Sequence, residues 1–135
     1  MSVDKDIIRD ASGKSNVKRF PVTQEQIDDV LNNELKNFEF PVRPVFNSRM
    51  QSNGRVKASI SPSGLASVEA IEIGKQDLSN KRFLIDTLLH EYYEAEIFVK
   101  QNSDDFFRAL SNGSERKRHE WINEQIAVFF RELGG

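Results

Sequence analysis

Apolar residues recur along this chain with two different periods, and the changes between them divide it into elements. Ile27, Val30, Leu31 and Leu35 fall on one side of a helix, with Thr23 as its N-cap and Gln26 completing a capping box. Pro41 and Pro44 then force extended chain. Three β segments are predicted over 43–47, 55–60 and 67–73, where Val56, Ala58 and Ile60, then Val68, Ala70, Ile71 and Ile73, mark a buried face. Ser52-Asn53-Gly54 and Ser61-Pro62-Ser63-Gly64 separate them as turns, so the expected arrangement is a meander.

Helical spacing returns over 81–101 with Leu84, Ile85, Leu88, Leu89, Tyr92, Ala95 and Val99. A short helix is expected over 104–110, ending at Asn112-Gly113. A last amphipathic helix over 114–133 carries Ile122, Ile126, Phe129, Phe130 and Leu133 on one side. Residues 1–22 are polar, broken by Ser12-Gly13 and closed by Pro21, which reads as a flexible N-terminal arm or linker with at most a short helix near residues 5–9. The expected fold for 23–135 is one α+β domain, a small three-stranded antiparallel or mixed sheet packed against three helices.

The 135 residues suffice for one real core. A formal charge of −2 with 30% charged residues leaves no clear nucleic-acid or anionic-membrane footprint. The absence of cysteine removes disulfides, thiolate catalysis and thiolate zinc sites. No apolar run reaches the length of a membrane span and the N-terminus has no signal-peptide pattern, so a cytoplasmic protein is expected, or a fragment of a larger exported or phage-borne one.

Both histidines of the chain are followed by glutamate. His90-Glu91 lies mid-helix, and Glu94 follows His90 by one turn, so an imidazole and a carboxylate at i and i+4 offer two ligands to one metal ion. On a helical wheel His90 and Glu94 share a mixed face with Phe83 and Ile97, opposite the main stripe, and Glu91 lies on the flank. His119 falls within the apolar stripe of the last helix and is expected to point inward, with Asn123 one turn along the same side. If the last helix packs across the back of the preceding long one, His90, Glu94 and His119 plus water make an open tetrahedral zinc site, with another divalent metal as an alternative. Glu91 would then act as the base on the metal-bound water. Glu115 and Glu120 are candidates to orient an imidazole, as is Asn123 by its position. Simpler accounts exist for the same residues: a core histidine hydrogen-bonded to a carbonyl or carboxylate, and glutamates on a solvated helix face.

The run Ala70-Ile71-Glu72-Ile73-Gly74, a connector, and Thr87-Leu88-Leu89-His90-Glu91-Tyr92-Tyr93-Glu94-Ala95 resembles the sheet-edge strand and active-site helix of zincin-type metallopeptidases. It is similar also to HExxE proteins of phage and bacterial-toxin settings, over about residues 68–130. The resemblance implies His90 as the first ligand, Glu91 as the catalytic base, Glu94 in place of the second histidine of HExxH, and a peptide or protein substrate. The departure at Glu94 makes the site harder and more anionic than the family's own, which bears on both metal preference and peptidase activity.

Two other functions fit the same residues. A metal-independent ribonuclease-like toxin would use His90 and His119 as acid and base, with Arg116, Lys117, Arg118, Lys81 and Arg82 toward phosphate. A non-catalytic interaction module would use Trp121 and Val128, which lie opposite the buried stripe of their helix, for a protein partner or a homodimer contact.

Overall fold

A computed structural model of the chain describes residues 20–75, 77–78 and 80–133. The expected arm over 1–22 lies outside them except for its last three residues. Of these, Val22 is buried in the core, and Phe20–Pro21 (β1) pairs antiparallel with Asp77–Leu78 (β5).

The fold is α+β, a small mixed sheet packed on helices. Helix α1 (Gln24–Asn32) starts at Thr23, whose hydroxyl accepts from the Gln26 amide, and it buries Ile27 and Val30. Three strands follow, β2 (Val45–Asn47), β3 (Gly54–Ile60) and β4 (Ala66–Gly74). Their spatial order is β2-β4-β3, so the meander expectation does not hold: β3 and β4 form an antiparallel hairpin, but β2 pairs with β4 in parallel. The Gln24 side chain holds β2 in place, donating to the Pro44 carbonyl and accepting from the Phe46 amide. Glu72 on the central strand ties both neighbours, accepting from Arg55 Nε at 2.6 Å and from Asn47 at 3.4 Å. The Arg55 guanidinium is the main reason its carboxyl stays below the usual carboxylate range.

The alternation expected along 67–73 breaks for a structural reason. Pairing jumps from Lys57↔Ala70 to Ala58↔Val68, leaving Glu69 as an extra residue in β4. The bulge switches the buried parity, from Ala66 before it to Ile71 and Ile73 after it. On β3 the expected burial fails past Val56, and Ala58 and Ile60 are exposed on this edge strand.

Helix α2 (Lys81–Lys100) runs through the middle of the molecule, capped by Asn80, whose side chain accepts from the Arg82 amide. It packs on β3 and β4 on one side and on helices α3 (Asp105–Asn112) and α4 (Glu115–Glu132) on others. Leu84, Ile85, Leu88, Leu89, Ala95 and Ile97 are buried, which draws in Ile97 from the face opposite the main stripe. Asp104 and Ser114 cap α3 and α4 and so fix where the chain reverses. No described helix is long and apolar enough to cross a membrane.

The hairpin and the loop before it meet tightly at Gly74. A β-carbon there would lie 2.0 Å from the Ser52 carbonyl oxygen, a backbone atom that cannot swing aside. Gly74→Ala is therefore expected to destabilise the fold by about 1–3 kcal/mol, as overpacked cores do. Urea denaturation checks this, and a wild-type midpoint would show that the 50–53 loop yields freely.

Candidate metal centre

The cluster begins with helix periodicity. His90 and Glu94 lie one turn apart on α2, and α4 crosses α2 so that His119, in its second turn, comes against them. The two imidazole rings stand 5.2 Å apart, inclined at 70°. Glu94 Oε2 lies 3.7 Å from His90 Nε2 and 3.5 Å from His119 Nε2, so both rings address the same oxygen. One ligand atom from each of the three residues can be chosen such that all lie within 4.8 Å of one another. In a tetrahedral zinc site with ligand bonds near 2.0–2.1 Å, neighbouring ligand atoms are about 3.3 Å apart. Both edges to Glu94 are within a few tenths of an ångström of that spacing, and the donor set of two imidazoles and a carboxylate suits zinc.

Glu91 lies beside the cluster, against the sheet. It is 7% exposed and is the one charged residue buried among the described residues. Gly54, the first residue of β3, presses directly on it: a β-carbon at Gly54 would lie 2.8–3.0 Å from the Glu91 carboxylate and Cγ. Burial is the chief reason its pKa is pushed up to about 7, partly opposed by the charge of His90 and assisted by Glu94. A carboxylate kept in such surroundings is costly, and such groups concentrate where proton transfer is carried out.

An open cleft of about 570 Å³ brings these parts together, lined by Gly54, Arg55 and Val56 from the edge strand and by Glu91, Glu94 and Arg118 from the helices. Arg118 Nε lies 3.4 Å from Glu94 Oε1, the oxygen that the imidazoles do not face. Burial disfavours charge on Glu94, but contact with His90, reinforced by Arg118 and His119, outweighs it and holds the carboxyl below its ordinary range. His90 is raised above the usual imidazole value, chiefly by its contact with Glu94. Burial works against that rise, and the charges of Glu91, Glu94 and Asp86 add to it.

The fold thus brings His90, Glu94 and His119 together, with Glu91 beside them. His119 stands against His90 and Glu94 with its side chain 41% exposed, rather than in the core as its place in the stripe suggested. Glu115, Glu120 and Asn123 are exposed, and Glu120 pairs with Arg116 instead of an imidazole. Trp121 is half-buried among Tyr93, Phe106 and Phe107, with ring centroids 5.5–5.8 Å away, and Val128 is half-buried too. The segment 70–74, taken as the sheet-edge strand, is part of the central strand, and the edge beside the site is β3. Three residues at the site escaped sequence reasoning. Asp86 lies one turn before His90 on the same face of the wheel; the sequence marks Gly54 only as a turn residue, and Arg118 only as a cation toward phosphate in the ribonuclease reading, not as a partner of Glu94.

Because burial raises the Glu91 pKa, the folded protein binds a proton between about pH 4.5 and 7 that the unfolded chain has released, and stability falls as pH rises through that window. In metal-free protein Glu91→Gln is expected to add about 3 kcal/mol at pH 8 and under about 1 kcal/mol at pH 5. Urea midpoints at the two pH values measure it, and an equal gain at both would contradict the buried charge. Gly54→Ala should cost about 1–3 kcal/mol by overpacking, and almost nothing beside Glu91→Ala. The same loss in both backgrounds would place the strain elsewhere.

Comparison of the chain with protein-family models, with curated proteins and with solved structures gives no match.

Proposed function

We propose that this protein is a metal-dependent hydrolase of zincin-like type, with His90, Glu94 and His119 as ligands and Glu91 as the base. The observation that carries the proposal is the convergence of three ligand groups beside a buried glutamate, with His90, Glu94 and that glutamate lining one cleft. A divalent ion held there would supply the charge that lowers the pKa of water toward neutrality. Zinc suits two imidazoles, and the carboxylate of Glu94 leaves room for a harder divalent metal.

The chain's own groups account for the proton traffic. Glu91, buried beside the ligand groups, would take a proton from the attacking water and pass it to the leaving group. A peptide or protein substrate is supported by the sheet: β3 is an edge strand that lines the cleft, so an extended chain can pair along it and lie beside Glu91.

A metal-independent ribonuclease finds less support. Both imidazoles face one carboxylate oxygen instead of opposite sides of a phosphate. The basic residues are dispersed, with Lys81 held by Glu34 and Asp29, Arg82 stacked on Phe130 and Arg116 near Glu120. An interaction surface centred on Trp121 is weakened by that ring's packing against its neighbours.

Protein purified without added metal or chelator is expected to hold about one equivalent of a transition metal by elemental mass spectrometry, and His90→Ala to lose it. Glu91→Gln should keep the metal while peptide hydrolysis falls by about 10²–10⁴-fold. An empty protein with no thermal shift on adding zinc or manganese would end the proposal, as would hydrolysis that survives both chelation and Glu91→Gln.

A further inference from the structure

Glu94 carries two carboxylate oxygens, and the fold divides them. Oε2 faces both imidazoles, at 3.7 and 3.5 Å, while Oε1 faces Arg118 Nε at 3.4 Å. Arg118 and His119 are consecutive in the first turns of α4, so one helix delivers both the second imidazole and the cation that pairs with the shared carboxylate. The Arg118 side chain is 23% exposed, packed into the cleft wall instead of extending into solvent as Arg116 does at 82%. It has no ion pair among the described residues other than the one with Glu94.

We infer that Arg118 is a positioning residue, which holds Oε1 so that Glu94 presents Oε2 alone to a metal ion. This inference rests on the metal-site reading above. A carboxylate free to rotate can offer both oxygens to the ion, which fills a coordination position that water or substrate needs. Outer partners that orient a ligating group commonly contribute ten- to a hundredfold in affinity. A guanidinium suits this role because its planar donors restrict the carboxylate's rotation, where a lysine ammonium is a point charge. There is an opposing effect: a cation this near the site repels a metal ion, so deletion of a mere bystander charge would tighten binding.

The two effects have opposite signs, which makes the test direct. Cobalt(II) affinity and visible absorption would be measured for wild type, Arg118→Met, Arg118→Lys, Glu94→Ala and the Glu94→Ala/Arg118→Met pair, with folding checked by circular dichroism. Arg118→Met is expected to weaken cobalt binding ten- to a hundredfold and to diminish the visible band, as the coordination number rises above four. Arg118→Lys should recover affinity in part. In the Glu94→Ala background the second substitution should cost nothing more, because Arg118 acts through that carboxylate. Unchanged or tighter binding by Arg118→Met with the wild-type spectrum would overturn the assignment. So would an equal loss with and without Glu94. A wild-type protein that binds no cobalt would remove the metal site itself, whereas normal wild-type binding with a silent Arg118→Met removes only this role.

Discussion

Helix α2 has to satisfy two demands that pull against each other. Its middle is buried between the sheet and two other helices, which favours apolar residues at nearly every position. Yet that same stretch carries His90, Glu91 and Glu94 in consecutive turns. Leu84, Ile85, Leu88 and Leu89 hold its first half by burial, and Ala95 and Ile97 hold its second. The polar residues between them are kept in place by that burial rather than contributing to it. Apolar packing on both sides allows the helix to tolerate a carboxylate whose burial pushes its pKa up to about 7.

The sheet is adapted to the same demand. An ordinary residue at position 54 would overlap the Glu91 side chain, so glycine is needed there for close approach and not for an unusual backbone angle. The strand that makes this approach is also the free edge of the sheet. An exposed edge is a hazard for unwanted pairing unless it is short, twisted or charged. Here the β4 bulge and the basic residues Arg55 and Lys57 are present on or beside the edge, and they leave its first residues at the mouth of the cleft. The distortion of the sheet and the placement of the site are therefore linked through one hairpin.

Much of this was legible in the sequence because it is local. The three long helices, the Thr23 cap and the β3–β4 turn follow from periodicity and side-chain chemistry within a few residues. His90 and Glu94 were paired correctly because i and i+4 on a helix are neighbours by construction. What the sequence left open is non-local. The parallel β2–β4 pairing depends on β4 inserting between β2 and β3, and no short-range signal distinguishes it from a meander. The break between Val68 and Ile71 was present as a lapse in alternation, but it was not recognised as a bulge. Gly54 and Arg118 belong to the site only because β3 and α4 come against α2, and each has an adequate local explanation as a turn residue or a solvated cation.

Charge balance joins the site's parts more closely than any single distance does. With neutral imidazoles, Asp86, Glu91 and Glu94 contribute three negative charges, answered by Arg118 at Glu94 and by Arg82 near Asp86, while Arg55 on the cleft wall is paired with Glu72, so negative charge remains in excess. A partly buried region cannot hold that excess cheaply. In the metal-free protein the relief comes from protons, since His90 is raised above its ordinary value and Glu91 is pushed up to about 7. A divalent cation would place positive charge at a single point between His90, Glu94 and His119, and its binding would compete with protonation of those groups. Glu91 would then give up its own proton more readily beside the new charge and be left ionised as a base. Protons and a divalent ion are thus alternative ways of neutralising the same group of residues. The carboxylate that costs stability in the metal-free state is the one that the cation would make ready to accept a proton.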